Sequence, residues 1–126
     1  MIVSQKLRLL VTDINHHVRD FIKRELERDG HTVLCVGSGL GIIRNLTDAF
    51  YPDVIVIDPE VLNTCDRKVI EEILLQRPAV QIIFHAYDEW IGEIESGGNI
   101  HVIEKSASSI GSLKEMIQLF AAEASG

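Results

Sequence analysis

Proline, aromatic residues and cysteine are all scarce in this chain of 126 residues, with 3 prolines, aromatics at 6% and 2 cysteines. Cys35 and Cys65 are too few and too far apart for a disulfide framework or a cysteine-built zinc cluster. They read instead as one buried and one surface thiol in a reducing compartment. Positive charge is the scarcer sign: 12 Lys and Arg stand against 19 Asp and Glu, a formal net charge of −7. A surface that grips a nucleic-acid backbone is basic, so direct nucleic-acid binding is excluded. No apolar run approaches the ~20 residues of a membrane span. The stretch Met1–Lys6 lacks the charged, apolar and small-residue zones of a signal peptide. The expected compartment is the cytoplasm. Repeats and low-complexity tracts are also missing.

What is present is an ordinary globular composition, 46% hydrophobic and 25% charged, in one domain's worth of chain. The reading is a single domain over 1–126 with its core at about 6–120. Short apolar runs alternate with helical stripes. Arg8–Thr12 is a strand, followed by a helix carrying Val18, Phe21, Ile22 and Leu26 and closed by Asp29-Gly30. Thr32–Val36 is a second strand, after which Ser38 is expected to cap a helix bearing Ile42, Ile43, Leu46 and Ala49. Val54–Ile57 is a third strand, and a loop is expected from Pro59 to about Asn63. Val69, Ile70, Ile73 and Leu74 mark the third helix, and Val80–Phe84 the fourth strand. A short fourth helix is expected over Asp88–Glu95, a fifth strand over Ile100–Ile103, and a last helix on the stripe Ile110, Leu113, Met116, Ile117 and Phe120 with a frayed tail. Strands apolar on both faces belong in a parallel sheet covered on both sides, which at this size implies an α/β, doubly wound open sheet.

Chemistry in such sheets gathers beyond the carboxyl ends of the strands. Asp13, Asp58, His85 and Lys105 stand there, each directly after an apolar run. A carboxylate can attack a phosphoryl donor, and a nearby cation can stabilise the charge that spreads during transfer. The same three charges also suit a plain polar cluster that satisfies itself.

An acid after the first strand, Asp58 after Val54-Ile55-Val56-Ile57, His85-Ala86 after the fourth strand and Val102-Ile103-Glu104-Lys105 at the fifth resemble the pattern of CheY-like response-regulator receivers over about Lys6–Phe120. The resemblance implies a flavodoxin-like five-stranded parallel sheet, (βα)5. It implies Asp58 as phosphoacceptor, Lys105 as phosphoryl contact, Asp13 in the acidic pocket and His85 at the switch Thr/Ser position. It also implies Mg2+ held by Asp13, Asp58 and the Glu60 backbone carbonyl. The partners implied are a sensor histidine kinase or phosphotransfer protein, and an output protein or second copy meeting the fourth helix, fifth strand and fifth helix. Any catalysis is at most autocatalytic transfer to and from Asp58.

Four positions depart from that pattern. Ile14 replaces the second acid, which weakens the Mg2+ site; His85 replaces the switch hydroxyl; Val102 replaces the switch aromatic; and Ser106 stands where proline follows the lysine. They support an alternative, a phosphorylation-independent pseudo-receiver serving as an interaction or dimerisation module. Asn15 is expected to cap a helix rather than offer oxygen to a metal. His16 and His17 are read as surface histidines whose rings point different ways, not as ligands of a softer ion. Gly37-Ser38-Gly39-Leu40-Gly41 is a turn plus helix start, since it follows the second strand and lacks the dinucleotide spacing. Trp90 suits either an exposed partner surface or a half-buried packing role. No Ser/Thr-rich phosphate loop follows the first strand, which sets aside a flavin carrier.

Overall fold

A computed structural model describes residues 5–47, 49–65 and 67–125. In chain order the elements are β1 (Arg8–Thr12), α1 (His16–Arg28), β2 (Thr32–Val36), α2 (Gly39–Arg44), β3 (Val54–Ile57), a 3-10 helix (Pro59–Cys65), α3 (Arg67–Gln76), β4 (Gln81–Ala86), α4 (Asp88–Ile91), β5 (Ile100–Glu104) and α5 (Ser109–Ser125). The five strands form one parallel sheet in the order β2-β1-β3-β4-β5. This is the doubly wound, flavodoxin-like order, and its direction reverses between β1 and β3.

The strands read as unbroken apolar runs because both faces are covered. Leu9, Val11, Val54, Val56, Ile83 and Ile103 pack with Ile22 and Leu26 of α1 and Leu113 and Ile117 of α5. On the other face Leu10, Ile55, Ile57, Ile82 and Phe84 pack with Ile42 of α2 and Ile73 of α3. Side chains alternate faces along a strand. Continuing that alternation puts Asp13, Asp58, His85 and Lys105 on the α1/α5 side, so the strand period itself gathers the four polar groups. Each fully buried Leu or Ile adds ~1.5–3 kcal/mol of apolar burial, so the pleat register is strongly held.

Local chemistry sets the connections. Asp13 Oδ1 accepts the Asn15 amide at 2.9 Å, and Asn15 Oδ1 in turn accepts the amides of His17 and Val18, capping α1. This tight turn throws Ile14 outward, where it is 55% exposed. Gly30 closes α1 with φ of +93°, a left-handed backbone that glycine adopts without penalty. Ser38 caps α2 through the Gly41 amide, as expected.

Several element boundaries differ from the sequence expectation. The Pro59–Asn63 stretch is not loop but the start of the 3-10 helix. Helix α2 stops at Arg44: the Asn45 side-chain amide takes the Gly41 carbonyl at 2.7 Å, and the Asn45 and Leu46 amides fall back to three-residue bonds. Leu46 is still buried, whereas Ala49 is exposed. The fourth helix spans Asp88–Ile91, not Asp88–Glu95, because Glu93 and Ile94 likewise bond three residues back. Strand β4 is Gln81–Ala86, starting one residue later and running two further than expected, and β5 includes Glu104. The α5 helix continues through Ser125 instead of fraying at Ala121. Cys35 is half-buried and donates to the Arg19 carbonyl, while the Cys65 side chain lies outside the described residues.

Candidate functional site

Asp13 follows β1, Asp58 follows β3 and Lys105 follows β5, so their convergence is a consequence of strand order. The Lys105 ammonium donates to Asp13 Oδ2 at 2.8 Å and to Asp58 Oδ2 at 3.0 Å. Both carboxylates are 1% exposed. One cation between two anions leaves a surplus negative charge at the site. Burial pushes the Asp58 carboxyl above its usual range; the Glu60 amide and Lys105 oppose this, and Asp13 adds to it. Burial also works against the Lys105 charge, but its hydrogen bonds to the Asp13 and Asp58 carboxylates outweigh it and hold its pKa above the ordinary value.

The remaining contacts fix the carboxylates in place. Asp58 Oδ1 accepts the Glu60 amide at 3.0 Å. The Asp58 amide donates to Thr12 Oγ1, whose hydroxyl donates to the Val56 carbonyl, stitching β1 to the end of β3. The Arg19 guanidinium donates to the Asp13 carbonyl at 2.7 Å. It lies over Gly37, where a Cβ would come within 2.8 Å of the guanidinium, so a side chain there would push Arg19 away. The Tyr87 ring stands 4.9 Å from Lys105 Nζ.

His85 joins the cluster from β4 but makes its hydrogen bond elsewhere. Its Nε2 lies 2.8 Å from Ser109 Oγ at the start of α5. Burial first, then Lys105, lowers its pKa to about 4, with Asp13 opposing, so the ring is neutral at pH 7. A groove of about 550 Å³ between α1 and the start of α5 is walled by Val18, Phe21, Ile110 and Leu113 and is lined also by His85 and Lys105.

All four sequence-predicted side chains thus reach one region, Asp13, Asp58 and Lys105 in direct contact and His85 beside them. Glu60 contributes an amide to Asp58. Asn15 caps α1, and Val102 packs against the α2/α3-side core. His16 and His17 are exposed, but their rings lie 4.0 Å apart instead of diverging, a correction to the expected geometry. Trp90 is half-buried. Sequence reasoning missed Thr12, Arg19, Tyr87 and Ser109. Only Thr12 carried a signal, a hydroxyl ending an otherwise apolar strand; the others depend on which helix turn faces the site.

Among the described residues no three His, Cys, Asp or Glu side chains cluster as a metal cage. Mg2+ does not require one, because it keeps several waters and takes one or two carboxylates. The buried pair Asp13 and Asp58, with surplus negative charge beside Lys105, fits such an ion with one protein ligand fewer than a pocket with an acid in place of Ile14.

No family model and no curated protein matches the chain. Solved structures do. A response-regulator receiver protein from Sinorhizobium medicae aligns at 20% identity over 96% of this chain and 98% of its own, with a TM-score of 0.74. The response regulator TrrA of Thermotoga maritima, solved in complex with Mg2+–BeF, aligns at 21% identity over 90% and 98%, with a TM-score of 0.73. A Francisella response-regulator receiver domain aligns at 19% identity over 94% and 99%, with a TM-score of 0.72. The fold is that of the CheY-like receiver domains of response regulators, the one the residue pattern implies.

Proposed function

We propose that the chain is an atypical receiver that takes a phosphoryl group on Asp58 from a histidine kinase or phosphotransfer protein. The observation that carries this reading is the Lys105 ammonium held between Asp13 and Asp58, where β1, β3 and β5 end. An Asp58 carboxylate oxygen attacks phosphorus, the bond to the leaving group breaks, and the leaving group keeps the electron pair. The product is an acyl phosphate. Lys105 stays charged and neutralises a phosphoryl oxygen, while the Glu60 amide fixes the carboxylate's rotation. Asp13, Asp58 and the Glu60 carbonyl are the groups that would hold Mg2+; when bound, the ion supplies further charge neutralisation, at a site weakened by Ile14. The altered state would be read by an output protein or second copy at α4, β5 and α5.

One observation favours the alternative of a phosphorylation-independent interaction module. Every oxygen of both carboxylates already has a donor: Asn15 and Lys105 for Asp13, Glu60 and Lys105 for Asp58. A self-satisfied cluster needs no phosphoryl group. Intact mass after incubation with acetyl phosphate and Mg2+ separates the two. The receiver reading expects a phosphate-sized gain that Asp58→Asn abolishes. No gain, together with no beryllofluoride binding, selects the interaction module.

A further inference from the structure

We infer that Ser109 is a positioning residue for His85, and that the pair relays the state of Asp58 to the Ser106 carbonyl in the turn between β5 and α5. The inference rests on the receiver reading above and adds to it a path from the site into α5.

The argument begins with proton counting. Ser109 Oγ stands 2.8 Å from His85 Nε2 and donates to the Ser106 carbonyl at 2.9 Å. A serine hydroxyl has one proton. With that proton on Ser106, the bond to His85 needs the imidazole to donate, which assigns the neutral ring as Nε2–H with a bare Nδ1. The Ser106 carbonyl then has two donors from one residue, the hydroxyl and the amide of Ser109 at 3.2 Å. The same turn holds Ser106 Oγ against the Ser108 amide and hydroxyl.

A phosphoryl group on Asp58 adds acceptor oxygens next to Lys105. With Nε2 committed to Ser109, Nδ1 is the only ring nitrogen left to donate to it. Donation requires a proton on Nδ1. The ring stays neutral if one proton leaves Nε2 to water while another arrives at Nδ1. Nε2 then becomes an acceptor, and the Ser109 hydroxyl rotates from the Ser106 carbonyl to His85. Charge and protons balance, and Ser106 loses one of its two donors. Ser106, Ala107 and Ser109 all line the groove between α1 and α5, so the change falls on its wall. This route replaces an inward-turning aromatic on β5, for which Val102 offers no ring.

The test uses the full chain carrying 15N-labelled histidine. In the unmodified protein His85 Nε2 is expected in the protonated range and Nδ1 in the lone-pair range. After acetyl phosphate and Mg2+, with intact mass reporting modification, the two nitrogens should exchange ranges and the Ser106 and Ala107 amides should shift. Ser109→Thr keeps a hydroxyl and should preserve both responses; Ser109→Ala should lose the amide shifts. A modified protein whose Nε2 stays protonated, alone or as a doubly protonated ring, overturns the relay and leaves the receiver reading intact. So does a Ser109→Ala variant whose amides shift as in the parent. Absence of any mass gain or beryllofluoride response removes the receiver reading, and the relay with it.

Discussion

Lys105 is the residue whose loss should cost most. Its ammonium lies between two carboxylates that are each 1% exposed, and among the described residues it is the cation in ion-pair contact with them. Removing one partner of a buried ion cluster leaves uncompensated charge, typically about 3–5 kcal/mol. Lys105→Met is therefore expected to lower the urea midpoint at pH 7 by that order and to recover part of it in acid, where the carboxylates protonate. Asp58→Asn should act in the opposite direction. Asp58 has a raised folded pKa, so its contribution is present below its ordinary pKa and is lost as pH rises through the folded value. Neutralising it should raise the midpoint at pH 7, and the advantage over the parent should vanish in acid. His85 has the reverse sign. Its folded pKa is about 4 against 6.5, so between those values the unfolded chain binds more protons. Its contribution is complete above about pH 6.5 and falls away toward pH 4, by up to roughly 3 kcal/mol at 1.36 kcal/mol per unit. Urea unfolding of His85→Gln across that window should be correspondingly flatter than the parent.

Helix caps decide where the elements begin. Asn15 Oδ1 accepts two amides at the start of α1, so Asn15→Ala is expected to cost about 1 kcal/mol in urea unfolding. The cost should be accompanied by a disturbed Asp13, because the Asn15 amide also bonds Asp13 Oδ1. Caps of this kind are legible in sequence, as Asn15 and Ser38 were, because the residue type and its place before an apolar stripe are both local. Strands β1, β2 and β3 were legible for a similar reason: Val54–Ile57 has no polar residue to admit another assignment. The ends of α2 and α4 were not. The Asn45 side chain bonding back to Gly41, and the three-residue bonds after Trp90 and Ile91, depend on tertiary position and leave no periodic trace. The site divides the same way. Asp13, Asp58 and Lys105 stand directly after apolar runs and announce themselves, whereas Ser109 sits among four serines near the last helix and is distinguished only by facing β4.

Stability should be spread unevenly through the whole molecule. Strand β3 is fully buried along its length and paired on both sides, by β1 through Leu9, Leu10 and Val11 and by β4 through Gln81 to Phe84. Its amides cannot reach water without separating both helical layers from the sheet. Helix α4 has four residues, none buried, and no side-chain cap on its first turn. Short helices carry little stability of their own and depend on packing. Regions with few buried apolar contacts open at small free energies, while core strands open only with global unfolding. Native-state hydrogen exchange should therefore find the amides of Ile55, Val56 and Ile57 slowest, with opening free energies that track the urea value. Those of Trp90 and Ile91 should exchange far faster and respond weakly to denaturant. This gradient also bears on the proposed receiver function. A surface at α4, β5 and α5 can shift its population cheaply if α4 is already weakly held, whereas the carboxylates at the ends of β1 and β3 stay fixed on the most protected part of the sheet. Slow exchange in α4 equal to that of β3 would mean a rigid output face, and would count against any switch that works by reordering it.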